Sequence, residues 1–188
     1  MAQRQEVDDG IADATLALLR TKGPRSVTVE SVAAHSGIAK TTIYRRYRDR
    51  RDMLSAALSR VTTPEPLAVQ ADPPARLRWV IKEAIKTVEV GIGYGGLAAL
   101  LTDEDPAFTK LFRRILAKQR AELESVINAG KADGSFRADF ECATLVDAVV
   151  GAHIAERTRT GRVAAGWEAR LFDLFWPIVR PDLHDDHA

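Results

Sequence analysis

The sequence predicts an all-α protein, on three observations. Apolar residues recur at three- and four-residue spacing along almost the whole chain, and convincing strand-type alternation is absent. The interruptions are helix-stop signals: Gly23-Pro24, Ser36-Gly37, and prolines at 64, 66, 73 and 74. At 188 residues, 46% hydrophobic and 28% charged, the chain can bury a core without a metal, and its single cysteine, Cys142, permits no intrachain disulfide. A cytoplasmic, reducing setting is expected. With no apolar signal core and no run of about 18 apolar residues, no membrane partner is expected.

Each element follows from local chemistry. Val7, Ile11, Ala14 and Leu18 line one face of a first helix that Gly23-Pro24 ends. Thr28 caps a second helix, with Val27 and Val32 placed as a hydrophobic staple and Glu30 in the first turn, where the helix dipole favours an acid. Ser36-Gly37 stops it after about two turns, and a third short helix runs from Ala39 to about Tyr47. Asp49 caps a fourth, with Asp52 at the capping-box position and Leu54, Ala57, Leu58 and Val61 facing inward.

No helix is expected through the proline cluster. After it, Leu77, Val80, Ile81, Ala84, Ile85 and Val88 form a stripe, and the glycines at 91–96 mark a bend before a short helix at Leu97–Leu101. Pro106 opens a long helix carrying Phe108, Leu111, Phe112, Ile115, Leu116, Leu123, Val126 and Ile127, ending near Gly130–Gly134. Asp139 caps another, with Cys142, Leu145, Val146 and Val149 inside, and a last helix runs from about Trp167 to Val179. The final His184-Asp185-Asp186-His187 reads as a frayed tail.

Net charge is only +1, but it is unevenly distributed. Residues 1–60 carry 11 Lys and Arg against 7 Asp and Glu, and the remainder carries 16 against 19. Between Lys40 and Arg51 lie six basic residues and one acid, Asp49. A basic end on a mildly acidic body suits a polyanion-binding head joined to a different kind of module. Two short helices joined through Gly37, the second strongly basic, describe a helix-turn-helix. Ile43 and Tyr47, four apart, point inward together, which leaves Lys40, Thr41, Tyr44 and Arg45 to face a DNA major groove.

Thr28 to Leu54, TVESVAAHSGIAKTTIYRRYRDRRDML, resembles the signature of TetR-family regulators, in its Ser36-Gly37-Ile38 turn, its Thr42-Ile43-Tyr44 core, Tyr47 and Leu54. The resemblance implies a three-helix DNA-binding head over 1–48 and a helical ligand-binding and dimerisation bundle over 49–188, with a connecting helix at 49–61 and a proline-rich linker at 62–74. It implies that Lys40, Thr41 and Arg45 touch base edges, that Thr28, Tyr44, Arg46 and Arg50 touch phosphates, and that Thr42 belongs to the same DNA-binding set. Arg suits bidentate contact with guanine, and helix N-termini suit phosphates. Three positions depart from the signature. Ala39 replaces a serine cap, a loss of about 1 kcal/mol, while Arg46 and Arg50 replace a histidine and a lysine and keep the positive charge.

For the body the resemblance implies ligand binding and dimerisation. Gln119 and His153 are polar groups on apolar stripes and need partners, which a ligand could supply. Trp79, Glu83, Tyr94, Phe108, Phe112 and Val149 complete the candidate pocket, although each taken singly reads more readily as a core or surface residue satisfied within the protein. Val150, Gly151 and Ile154 lie off the inner stripe of their helix, and Leu171, Phe172, Phe175 and Val179 nearly encircle the last one. These are the candidate dimer face. The expected function is a homodimeric repressor released from operator DNA by a small apolar or amphipathic molecule, the alternative being an architectural or ligand-independent DNA binder.

Other chemistry is weakly supported, and no cofactor is expected. Gly91-Ile-Gly-Tyr-Gly-Gly96 matches G-x-G-x-x-G, but the dinucleotide fingerprint needs a βαβ unit that this pattern lacks. His184 and His187 do not complete a metal site, and Cys142 on an apolar stripe is a poor nucleophile.

Overall fold

In a computed structural model, which describes residues 2–68 and 70–181, every regular element among the described residues is helical. They are α1 (Ala2–Lys22), α2 (Val29–Ser36), α3 (Lys40–Arg46), α4 (Arg50–Thr62), α5 (Pro73–Lys86), α6 (Gly93–Thr102), α7 (Pro106–Ala132), α8 (Cys142–Thr160) and α9 (Trp167–Val179). A 3-10 turn at Pro24–Ser26 precedes α2, and a π-helical turn at Thr87–Ile92 precedes α6. The tail carrying His184 and His187 lies outside the described residues.

Two compact units emerge. The first runs through Thr63 and resumes from Lys86 to Ala117; the second comprises Pro64–Ile85 and the chain from Lys118 onward. This partition cuts the chain elsewhere than at residue 48, because α4 and the segment 86–117 share one core with α1–α3. Ile11, Leu19, Val32, Ile43, Leu54, Leu58, Ile92, Phe108 and Phe112 lie in that core. The core of the second unit joins Leu77, Val80 and Ile81 of α5 to Leu123 and Ile127 of α7, Val149 of α8, and Trp167 and Phe172 of α9.

Two expectations need adjustment. The glycines do more than mark a bend: helical hydrogen bonding runs from Pro73 through Thr102, and Gly93 leaves helical dihedrals, at φ 60° and ψ −175°, where the π turn ends. The glycines also serve close packing. A Cβ at Gly95 would sit 2.7 Å from the carbonyl oxygen of Arg20, and one at Gly93 2.7 Å from the Arg20 side chain, so α6 lies directly on α1. In return, the Arg20 guanidinium donates to the carbonyls of Val90 and Gly91 in the π turn. By length and composition this continuous helical stretch could cross a membrane, but half of its apolar window is buried within the protein. It reads as a core helix.

The second correction concerns the start of α8. Its cap is Glu141, whose carboxylate accepts from the amides of Ala143 and Thr144. Asp139 is occupied by Arg137, which donates to both of its oxygens at 2.5 Å.

Candidate functional site

The geometry around α2 and α3 is set by short-range hydrogen bonds. Thr28 Oγ1 accepts from the Ser31 amide at 3.1 Å and caps α2. Gly37 closes α2 at φ 72°, and its N–H bonds the Ala33 carbonyl, a left-handed stop that a side chain would strain. The Ser36 hydroxyl completes the turn, donating to the Val32 carbonyl at 2.7 Å and accepting from the Ile38 amide at 3.2 Å. Helix α3 then starts at Ala39 with no side-chain cap, as the sequence implied.

Ile43 is fully buried and sets the inner face of α3 in the core shared with α1, α2 and α4. Half-buried Tyr47 packs against the same core, and burial pushes its phenol above the ordinary tyrosine range, with Asp8 adding to the effect. Opposite, Lys40, Thr41, Tyr44 and Arg45 are exposed and Thr42 is half-buried. Tyr44 is 56% exposed, unusual for a residue of its size. Glu30, 3.8 Å from Lys40, is a loose and solvated partner.

Arg48 and Arg51 are exposed as well, whereas other arginines of this region are tied to the fold. Arg46 pairs with Asp8 of α1, its side chain only 16% exposed. Arg60 of α4 pairs with Asp9. Arg50 is the most engaged: it donates to the carbonyls of Val27 (2.7 Å) and Pro24 and to Asp105 (2.7 Å). One guanidinium thereby joins the starts of α2, α4 and α7. Burial alone would raise the Asp105 carboxyl, but the Phe108 amide and Arg50 hold it below its ordinary range. Arg25 adds a second tie, donating to the Glu104 carbonyl at 2.6 Å. The inward roles of Arg46 and Arg50 were not legible in a charge count.

The ligand candidates divide between the units. In the first, Phe108 and Phe112 are buried and stacked, ring centroids 5.8 Å apart, and Tyr94 is half-buried. Sequence reasoning missed Thr87 and Thr109 there, both buried and with hydroxyls that have no hydrogen-bond partner among the described residues. In the second unit, buried Gln119 donates to the backbone carbonyl of buried Glu83 at 2.8 Å, so the polar group on that stripe is engaged by the fold. His153 is buried edge-on to Trp167 at 4.8 Å, with Val149 one turn before it in the core. Trp79 donates its indole N–H to the Glu65 carbonyl and borders an open groove of about 470 Å³ with Pro64, Leu67, Lys118 and Val126.

The candidate dimer residues also separate. Leu171, Phe172 and Val179 are buried in the core of their own unit, and Arg78 lies 3.5 Å over the Phe172 ring. They hold α9 onto the unit and leave it no surface through those side chains. Phe175, Val150 and Ile154 are half-buried and Gly151 is exposed. The apolar surface of α9 is instead Leu174 and Ile178, 58% and 47% exposed.

Comparison with known proteins accords with this geometry. Residues 11–57 match the family model for bacterial regulatory proteins of the tetR family. No curated protein sequence matches the chain. Among solved structures, a protein from a Rhodococcus species assigned as a TetR-family transcriptional regulator superposes with TM-score 0.69 at 21% identity, over 90% of this chain and 98% of that one. A protein from Saccharomonospora viridis assigned as a transcriptional regulator, in complex with choline, gives 0.67 at 18%, over 94% and 99%. The transcriptional regulator FadR from Bacillus subtilis, in complex with stearoyl-CoA, gives 0.65 at 15%, over 88% and 95%. At such identities these structures speak to the fold, while the match over 11–57 covers α2, α3 and most of α1 and α4. Over residues 11–57 the chain is thus similar to the tetR family of bacterial regulatory proteins, and over nearly its full length it shares the fold of these solved regulators.

Proposed function

We propose that the protein is a homodimeric repressor that reads operator DNA with α3 and leaves it when a small apolar or amphipathic molecule binds. The observation that carries this reading is the division of α3, with Ile43 fully buried while Lys40, Thr41, Tyr44 and Arg45 stand exposed. Lys40, Thr41 and Arg45 then face base edges. Thr28, Thr42 and Tyr44 meet the backbone, and Arg46 and Arg50 hold the reading head in shape from within.

Dimerisation is supported by the exposed face of α8, where Thr144, Ala148, Gly151 and Ala155 allow close helix approach, and by Leu174 and Ile178 of α9. Two heads on a two-fold axis can enter successive major grooves about 34–36 Å apart. Release by a ligand is supported by the buried hydroxyls of Thr87 and Thr109 beside the aromatic content of the same unit. Relatives of this fold bound to choline and to stearoyl-CoA give it further support. The ligand must favour the released arrangement, since equal affinity for both shifts nothing. A cytoplasmic location goes with this role.

The test is selection of a binding site from random duplexes, followed by titration at several salt concentrations. Wild type should select a near-palindrome and lose affinity steeply with salt. Arg45→Ala should cost about 5- to 150-fold, the equivalent of about 1–3 kcal/mol per base contact, and relax preference at one position per half-site. Sequence-blind binding by the wild type would overturn the reading.

A further inference from the structure

Between the first turns of α1 and the recognition helix lies an open cleft of about 630 Å³ lined by Arg4, Val7, Thr42, Arg45 and Arg46. Three of its five lining residues are arginines, and they are not equivalent. Arg46 is tied to Asp8, and the neighbouring Asp9 is taken by Arg60 and by the Gln5 amide. Arg4 and Arg45 are exposed and have no ion-pair or hydrogen-bond partner among the described residues. Asp8 and Asp9 are therefore already engaged, Glu6 is exposed to solvent, and two cations line the cleft together with Thr42. A polar, positively charged, open cleft of this kind suits an oxyanion with several acceptor oxygens.

We infer that this cleft takes a backbone phosphate of the duplex that α3 reads, and that Arg4 is a DNA-contacting residue beyond the recognition helix. The argument rests on continuity. Thr42 and Arg45 belong to α3 itself, so a duplex placed against its exposed face brings a phosphate to the cleft without rearrangement of the protein. Val7 packs against the core of the first unit and anchors α1 one turn after Arg4, so the arginine is presented from a helix and not from a loose arm. The phosphate would lie between the guanidinium groups of Arg4 and Arg45, with the Thr42 hydroxyl as an added donor. This deepens the proposed function and rests on it.

The test uses the full chain and two probes, its selected operator and a mixed-sequence 30-base-pair duplex. Because each neutralised phosphate contributes about 0.9 to the slope of log K against log salt, Arg4→Ala should lower the slope by about 0.9 per protomer on both probes. Affinity at low salt should fall several-fold on both alike, with the selected sequence unchanged. Arg4→Lys should restore the slope and Arg4→Glu should lower it further, with thermal midpoints equal to wild type. Ethylation interference should lose one protected phosphate per half-site in Arg4→Ala. An unchanged slope and phosphate pattern in Arg4→Ala, with wild type still binding, overturns the cleft assignment alone. Failure of wild type to bind either duplex overturns the proposed function as well.

Discussion

The two compact units use charge in contrasting ways. In the first, Arg46, Arg50 and Arg60 are bound to acids or carbonyls of the fold, while Arg4 and Arg45, both exposed, line one cleft with no ion-pair partner among the described residues. In the second, Arg76, Arg120 and Arg170 each meet a carboxylate of their own unit, Arg120 reaching both Glu124 and Asp147. Arg78 lies over an aromatic ring. A cation already engaged within the fold reports on architecture, and one left exposed beside a shaped surface reports on a partner. Position in the sequence pattern does not distinguish them, and their partners in the folded protein do.

The sharpest way to break this contrast is in the core of the second unit. Phe172→Ala should cost about 3–5 kcal/mol in urea unfolding, since the ring is buried beneath Arg78 and stacked on Trp176. Leu174→Asp, on the exposed side of the same helix, should leave secondary structure intact and, under the proposed dimerisation, shift the sedimentation profile toward monomer. Equal losses of fold in both variants would erase the distinction between inner and outer faces of α9.

A middle-sized effect is expected at Asp105. Asp105→Asn leaves Arg50 without its carboxylate and should destabilise by about 1–3 kcal/mol at neutral pH. The carboxyl is held below its ordinary value of 3.8, so its contribution is complete above that value and disappears as pH falls through the lower folded value. The stability gap between wild type and Asp105→Asn, followed by denaturant titration, should therefore be constant from pH 7 to about 5 and close in stronger acid. A gap that instead widens in acid would mean that the pair does not hold the three helix starts together. The smallest effect is expected at Ala39, where Ser would supply the missing cap of α3 and add at most about 1 kcal/mol to the thermal stability.

Much of the first unit was legible because helix ends are written in single residues. Thr28, Gly37 and Asp49 each act through a bond to a neighbour within four positions, so their roles can be read without knowing the fold. Asp52 shows the limit of even this local chemistry. It reaches back as a capping-box acid does, but to the Arg48 amide, one residue before the cap. Long-range partners were not legible. Nothing near Arg50 in sequence announces Asp105, and nothing near Gln119 announces the Glu83 carbonyl. The packing role of the glycines at 91–96 was not legible for the same reason. Flexibility is a local property, whereas room for α1 is a property of the packed unit.

The π turn at Thr87–Ile92 gives this packing an arithmetic consequence. A π turn accommodates one more residue than the α-turn it replaces, and each residue rotates an α-helix by about 100°. Deleting one residue between 87 and 92 would therefore let the backbone relax into regular α-helix while the residues after it keep their phase. A deletion within α6 has no such slack: it rotates what lies beyond by about 100°, so that Gly95 or Gly96 would swing away from α1 and side chains such as Leu97 would arrive where backbone now approaches α1. The π turn thus works as a buffer for register, holding one residue in reserve. Descendants of this sequence should tolerate loss of a single residue between 87 and 92 more readily than loss of one within α6.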